Sequence, residues 1–460
     1  MDLPVFHLDV LNNRMLIAII AVLHVVINHA MAVGGIPLVS YLERRGVRTG
    51  DDAWDKLAFR LLTVFFVITT TVGALTGVGI WFSTSLVNPY AMGSLLRVFF
   101  WTWFTEWLVF VTEVVLILAY YLTWKKWTGP RKRAHARMGV VLSIASWATM
   151  ALIVSILSFM MDPGSWQSNR TLFSGMFNPV YLPQLAFRTP LAMVMAGAFG
   201  LAIAVGATDA GTELRTNAVR TLSRWILAWI LPCAAGGIWY AHAVPSAMAS
   251  NLAVALLTQA LEGWSRTALG VLAAVSAAIA LLALWGAVRP NEVHTWALIA
   301  PAFLAVLLIG TFERVREFIR KPYTIAGYMY ANGIRKDDYP MLQRDGLLAH
   351  ATYTSVRRIT PENEVDAGRE VFALACTRCH TTDGVNGIRD VLTTLYGPDK
   401  PWDRDAIGAY VGAMHTTRPF MPPFPGSELE KRALAAYLVH LQDHREPLEG
   451  AQVTGVRVER

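Results

Sequence analysis

Residues Met15–Tyr41 read MLIAIIAVLHVVINHAMAVGGIPLVSY, a long apolar run with no Asp, Glu, Lys or Arg and with two histidines, His24 and His29. About 20 such residues suffice to cross a bilayer, and a backbone in lipid must close its hydrogen bonds internally, so this run is expected to be a membrane helix. It is too long for a removable signal peptide and lacks a small-residue cleavage site, so it is expected to stay in the mature protein. Working outward, similar runs recur near 57–82, 98–123, 139–160, 190–207, 225–243, 267–287 and 295–312. The composition agrees: 54% of the 460 residues are hydrophobic, 16% are charged, and the mean hydropathy is +0.40. A soluble domain carries about 25% charged residues, which excludes a wholly soluble globular chain and a disordered one.

The net charge of +7 belongs to membrane loops rather than to a nucleic-acid surface, and no nucleic-acid partner is expected. Loops after the first, third, fifth and seventh runs hold fourteen Lys and Arg, among them Arg44, Lys132 and Arg215. The opposite side, before the tail, holds five: Arg14, Arg97, Arg170, Arg188 and Arg266. The positive-inside rule then puts the N-terminus outside, and eight crossings return the C-terminus outside as well. The expected location is a bacterial inner membrane, crossed several times, with the tail on the periplasmic side.

After the last run the composition changes. Residues 323–361 read as a connector, and 362–460 as a small helical domain with a short tail. There Cys376-Thr377-Arg378-Cys379-His380 forms CxxCH, the c-type haem attachment signal. One turn presents Cys376 and Cys379 to the haem vinyl groups, and the adjacent His380 reaches the iron. Half of a zinc site would need a second pair of ligands, and the only other cysteine is Cys233. Three cysteines also make no disulfide framework. The segment Phe420-Met421-Pro422-Pro423-Phe424-Pro425-Gly426, followed by a helical Glu428–Leu441 stretch, resembles the ligand loop and last helix of class I cytochromes c. That resemblance makes Met421 the expected sixth ligand, with Met414 and His415 as rivals.

Ionisable residues inside membrane runs are expensive and point to function. His24 and His29 lie in the first run. Glu106 and Glu113, seven apart and so on one helix face, lie in the third. Glu313 and Glu317 are expected just beyond the eighth. This pattern resembles subunit I of cytochrome bd oxidases: Arg14 ten residues before His24, Gly73-Ala74-Leu75-Thr76-Gly77, the pair Glu106 and Glu113, Asn178-Pro179-Val180, and Glu317-Phe318-Ile319-Arg320-Lys321-Pro322-Tyr323. The resemblance implies that His24 and Glu317 ligate one or two non-covalent haems of type b or d. It also implies that Glu106 and Glu113 serve haem ligation and proton delivery, and that Arg14 and Arg320 belong to the cofactor sites. The chain departs from that family in spacing its carboxylates by seven rather than eight. It has Arg188 where the family has the histidine of its low-spin haem, and only residues 208–224 where the family has a long quinol-binding loop. Arg188 is expected to neutralise a haem propionate or to snorkel at the bilayer edge.

Other candidates have blander expectations. His242 reads as interfacial, Cys233 as a small buried hydrophobe, His440 and His444 as solvated, and Trp101, Trp103 and Trp107 as an interfacial belt. The sequence therefore predicts an all-α protein: a bundle of about eight transmembrane helices, haem-binding over 1–322, followed by a mono-haem cytochrome c domain. The expected function is a bd-like terminal reductase subunit that takes electrons through its own haem c and reduces dioxygen or a similar small oxidant. The alternative is an electron-transfer subunit without catalysis, passing electrons between quinol or a partner complex and a periplasmic cytochrome. A third is an anchor without membrane haem. Expected partners are membrane lipid, a periplasmic donor or acceptor cytochrome, and further membrane subunits.

Overall fold

The computed structural model describes residues 1, 3, 6–252, 265–444 and 452–453. Among them the long helices are α1 (Asn13–Thr49), α2 (Asp52–Val87), α4 (Phe100–Thr123), α5 (Pro130–Met161), α6 (Tyr181–Ala207), α7 (Glu213–Ala243) and α9 (Thr295–Ile319). All seven are long and apolar enough to cross a membrane. A short α3 (Pro89–Val98) precedes α4, and α8 (Ser265–Val288) carries the seventh apolar run. Apart from two two-stranded ribbons, the described chain is all-α.

Several boundaries differ from expectation: α1 runs on to Thr49, and α5 and α7 start at Pro130 and Glu213, ahead of their apolar runs, because polar turns extend those helices. The fifth run starts at Tyr181, not near 190, because Pro190 is accommodated inside the helix. The eighth extends to Ile319, so Glu313 and Glu317 lie within α9 rather than beyond it. Two helices also change winding: α1 contains a π-helical turn over Asn28–Val33, and α2 one over Thr69–Gly73. Such turns recur at functional sites.

The chain divides into two compact units. The first comprises 21–77 and 99–319, the helical bundle. Its core joins Ile36, Leu38 and Leu42 of α1, Leu57, Leu61 and Phe65 of α2, and Leu191, Met195 and Leu201 of α6. Small residues set the spacing: a Cβ at Gly34 would overlap Ala192 O, and one at Gly236 would overlap Ala186 O, so α1 and α7 both press against α6. On α4, by contrast, Trp101, Phe104, Trp107, Leu108, Val115 and Leu122 stand exposed, a wide apolar face suited to lipid.

The second unit comprises 1–20, 78–98 and 320–460. Helices α10 (Glu364–Ala375), α11 (Ile388–Tyr396), α12 (Arg404–Thr417) and α13 (Glu428–Asp443) pack around Val371, Leu392, Ile407, Leu434 and Leu438. Ser427 and Glu430 form a capping box that starts α13. The Glu430 carboxylate, itself buried, also accepts from Leu347 N at 2.8 Å and Leu348 N at 2.7 Å, which ties the connector to this last helix. Tyr339 Oη and Gln343 Nε2 donate to the carbonyls of Pro423 and Phe424 at 3.3 and 3.0 Å, so the connector braces the Met421 loop. β1 (Phe6–His7) pairs with Gln452–Val453, and β2 (Tyr323–Ile325) with β3 (Met329–Tyr330).

Candidate functional site

The signature turn begins where α10 ends. Cys379 N and His380 N both donate to Cys376 O at 3.0 Å, a single tight turn that gathers the two thiols and the imidazole. His380 Nδ1 donates to Asn386 O at 3.2 Å, which leaves Nε2 for a metal. Lys321 Nζ lies 3.4 Å from Cys379 Sγ. Burial alone would push the Cys379 thiol up, but the charges of Lys321, Arg14 and Arg378 outweigh it and hold the thiol below its ordinary value. Cys376, with burial and the Cys379 neighbour acting together, is pushed up to about 12. Among the described residues no group of three or more His, Cys, Asp and Glu could hold a bare metal ion. Two thiols and an imidazole whose Nδ1 is already bonded, gathered in one turn, are the donor set of a c-type group, so the residues present fit it.

Met421 is half-buried in its proline-rich loop. Its N donates to Arg418 O at 2.8 Å and its O accepts from His415 Nδ1 at 2.6 Å. His415 is thus engaged in shaping the loop, and Met414 packs against the core of the unit.

In the bundle, the two hydrogen bonds of His24 both use Nδ1, to Gly73 O and Thr76 Oγ1 at 3.2 Å each. A Cβ on Gly77 would come within 3.1 Å of His24 Cε1. The Gly73–Gly77 segment is therefore a cradle: a carbonyl and a hydroxyl fix the ring, a glycine makes room for it, and Nε2 remains available as a ligand. This donor geometry fits a haem iron. Glu113 accepts from Ser146 Oγ at 2.6 Å and Thr149 Oγ1 at 3.2 Å of α5, while Glu106 is half-buried on the same helix face. Glu317 is half-buried on α9, Arg14 is half-buried at the start of α1, and Arg320 is buried.

Arg188 does neither of the things expected of it. Only 1% exposed, it forms an ion pair with the buried Glu313, whose other oxygen accepts from Arg316 Nε at 2.9 Å. Arg188 Nη1 also lies 3.3 Å from His29 Nε2. An arginine so enclosed cannot snorkel, and its fork is committed to a carboxylate within the bundle. A second cluster escaped the sequence reading. Buried Glu43 accepts from Tyr120 Oη at 2.6 Å, meets His135 Nδ1, and pairs with Lys132 at 3.0 Å; Lys132 reaches Asp55 at 2.8 Å. Lys132 and His135 stand in a basic loop-like stretch, and only their periodicity with α5 could have drawn them inward.

The remaining candidates are structurally modest. Cys233 is buried. His242 is exposed and bonded to Ile238 O at 2.8 Å, and the rings of His440 and His444 stack at 3.9 Å with His444 exposed.

A membrane bundle that cradles a histidine between two helices and bonds a carboxylate between two others, on one chain with a helical CxxCH unit, defines a membrane cytochrome. The family model described as cytochrome bd terminal oxidase subunit I matches residues 13–256, more than half of the chain, and the protein belongs to that family. The match includes Arg14, His24, Glu106, Glu113 and Arg188, and ends before Glu317 and Arg320. A second model, cytochrome c oxidase, cbb3-type, subunit III, matches residues 363–438, so the chain ends in a cytochrome c domain. Among solved structures, the bd oxidase from Geobacillus thermodenitrificans is similar with a TM-score of 0.58 at 19% identity, over 70% of this chain and 90% of that one. That likeness concerns the fold. None of the curated proteins compared matches this chain. The protein is accordingly an integral membrane cytochrome of the bd family, and haem binding and electron transport follow from its two domains.

Proposed function

We propose that this protein is a bd-like terminal reductase subunit, fed with electrons through its own haem c and reducing dioxygen or a similar small oxidant. In this reading residues 1–322 form the membrane haem-binding domain, 323–361 the connector, and 362–460 the periplasmic cytochrome. When bound, haem supplies the electron carrier and an open iron position for the oxidant. Cys376 and Cys379 would attach it covalently in the tail, and His380 and Met421 would bind its iron. His24 and Glu317 would hold haem b or d in the bundle, and Arg14 and Arg320 would serve as cofactor-binding residues. Glu106 passes protons to or from Glu113, whose oxygens are held by Ser146 and Thr149.

The observation that carries the reading is the cradle of His24: its Nδ1 bonds to Gly73 and Thr76 orient an imidazole whose second nitrogen is free to bind iron. Arg188, committed to Glu313, cannot ligate iron, which supports entry of electrons from the cytochrome c side rather than through a low-spin quinol-side haem. The charge asymmetry of the loops and the CxxCH signature support a periplasmic N-terminus and tail, and a periplasmic cytochrome as donor. The apolar face of α4 is available to lipid or to a further membrane subunit.

The test is a pyridine haemochrome spectrum with a carbon monoxide difference spectrum on purified protein. One covalent haem c with additional non-covalent haem that shifts on carbon monoxide is the expected result. Non-covalent haem without a shift moves the assignment to an electron-transfer subunit, and haem c alone reduces the bundle to an anchor.

A further inference from the structure

The segment ahead of α1 reaches the loop that follows the haem-attachment signature. Val385 N donates to Val10 O at 3.0 Å, and Asn12 Nδ2 donates to Val385 O at 3.2 Å. Beside them, a Cβ on Gly384 would overlap the carbonyl oxygens of both Asp9 and Val10, so the two segments are in close backbone contact. The next residue, Asn386, has φ of 58°, the left-handed conformation that asparagine enters more readily than other non-glycine residues. Its carbonyl is the partner of His380 Nδ1, and its Nδ2 donates to Cys379 O at 2.8 Å.

Asn12 is the hinge of this arrangement. It is buried, and its Oδ1 accepts from Met15 N at 2.8 Å in the first turn of α1. Its amide is therefore divided, with the oxygen capping the first membrane helix and the nitrogen on the haem loop. The bond from His380 Nδ1 depends on where Asn386 stands, and Asn386 stands one residue beyond the segment that Asn12 and Val10 hold.

We propose that residues 9–12 position the Asn386 carbonyl against His380 and so set the reduction potential of haem c. The inference rests on the haem c reading of CxxCH. Its physical basis is that an imidazole donating Nδ1–H to a carbonyl is the more basic at Nε2, which favours ferric iron and lowers the potential. Releasing the clamp lets the Val385–Asn386 segment shift away from His380, weakens that bond, and raises the potential. The nearby charge of Arg14 acts with the opposite sign: moving it away from Cys379 would lower the potential.

The experiment uses the full chain in detergent, with haem staining and spectroelectrochemical titration of haem c. Asn12→Ser keeps a helix-capping oxygen and leaves the charge unchanged, but is too short to donate to Val385. It is expected to retain covalent haem and to favour reduction about threefold, a rise of about 28 mV at 59 mV per tenfold change. Gly384→Ala, which forces the segments apart, is expected to raise the potential at least as far, with altered g-values of the ferric low-spin haem. An unchanged potential in Asn12→Ser with staining intact overturns the proposal. A fall in potential also overturns it, because the effect then belongs to the charge of Arg14. Loss of staining in the unmodified protein instead removes the haem c reading itself, and this inference with it.

Discussion

Glu313→Ala strikes an enclosed charge cluster of the bundle. Glu313 holds two guanidinium groups, Arg188 on one oxygen and Arg316 on the other, with His29 beyond Arg188. Removing the carboxylate leaves Arg188 buried at 1% exposure with no acidic partner recorded in its ion pairs among the described residues. Breaking a buried pair from one side costs roughly 3–5 kcal/mol, because the desolvated survivor is uncompensated. Arg188→Met leaves Glu313 still paired with Arg316, so its cost should fall at the lower end of that range. The double variant Arg188→Met/Glu313→Ala removes both members of the pair, and should cost less than the two singles together by about 2 kcal/mol or more. The assay is denaturant unfolding of detergent-solubilised protein followed by helical circular dichroism, run as a double-mutant cycle. Additive effects, within about 0.5 kcal/mol, would refute the reasoning, since they would mean that Arg188 and Glu313 do not depend on each other.

Three further outcomes follow from the sites. Thr76→Val removes one of the two partners of His24 Nδ1, and should weaken retention of non-covalent haem about 10–100-fold, read from the haemochrome ratio after washing. Met421→Ala should lower the haem c potential while haem staining at the full chain mass persists; Cys376→Ala/Cys379→Ala should abolish the staining. A periplasm-dependent reporter fused after Arg460 should be active, and activity of a cytoplasm-dependent reporter at that point would overturn the proposed topology.

Chemistry written in consecutive residues was legible in the sequence. CxxCH is a local signature, and the turn from Cys376 to His380 is closed by bonds between those same residues. Apolar runs likewise announced the membrane helices, with ends misjudged where Pro190 was tolerated, where a charged turn, Glu313 to Glu317, continued the helix, and where polar turns extended α1, α5 and α7. His24 and the Gly73–Gly77 segment were each recognisable by resemblance, but the reason they belong together, a ring nitrogen shared between a carbonyl and a threonine hydroxyl, is a contact between two helices. Arg188 and Glu313 are 125 positions apart, and nothing local to either names the other.

The Glu43 cluster was hidden for a different reason. A helical wheel assigns faces at about 100° per residue, and this holds only while the helix stays regular. The π-helical turn over Asn28–Val33 adds a residue to one turn and rotates everything after it by about that same angle. A wheel started at Asn13 therefore misplaces Ser40, Glu43 and Gly46, all of which the structure buries. The same turn also places His29 beside Arg188, within the bundle rather than on its rim. The irregularity thus decides which polar residues of α1 face the interior. His24, which lies before it, and Glu43, which lies after it, meet different helices: α2 through Gly73 and Thr76 in one case, α4 and α5 through Tyr120 and His135 in the other. A single regular helix would present one polar stripe; with the π-turn, α1 serves two separate buried sites along its length.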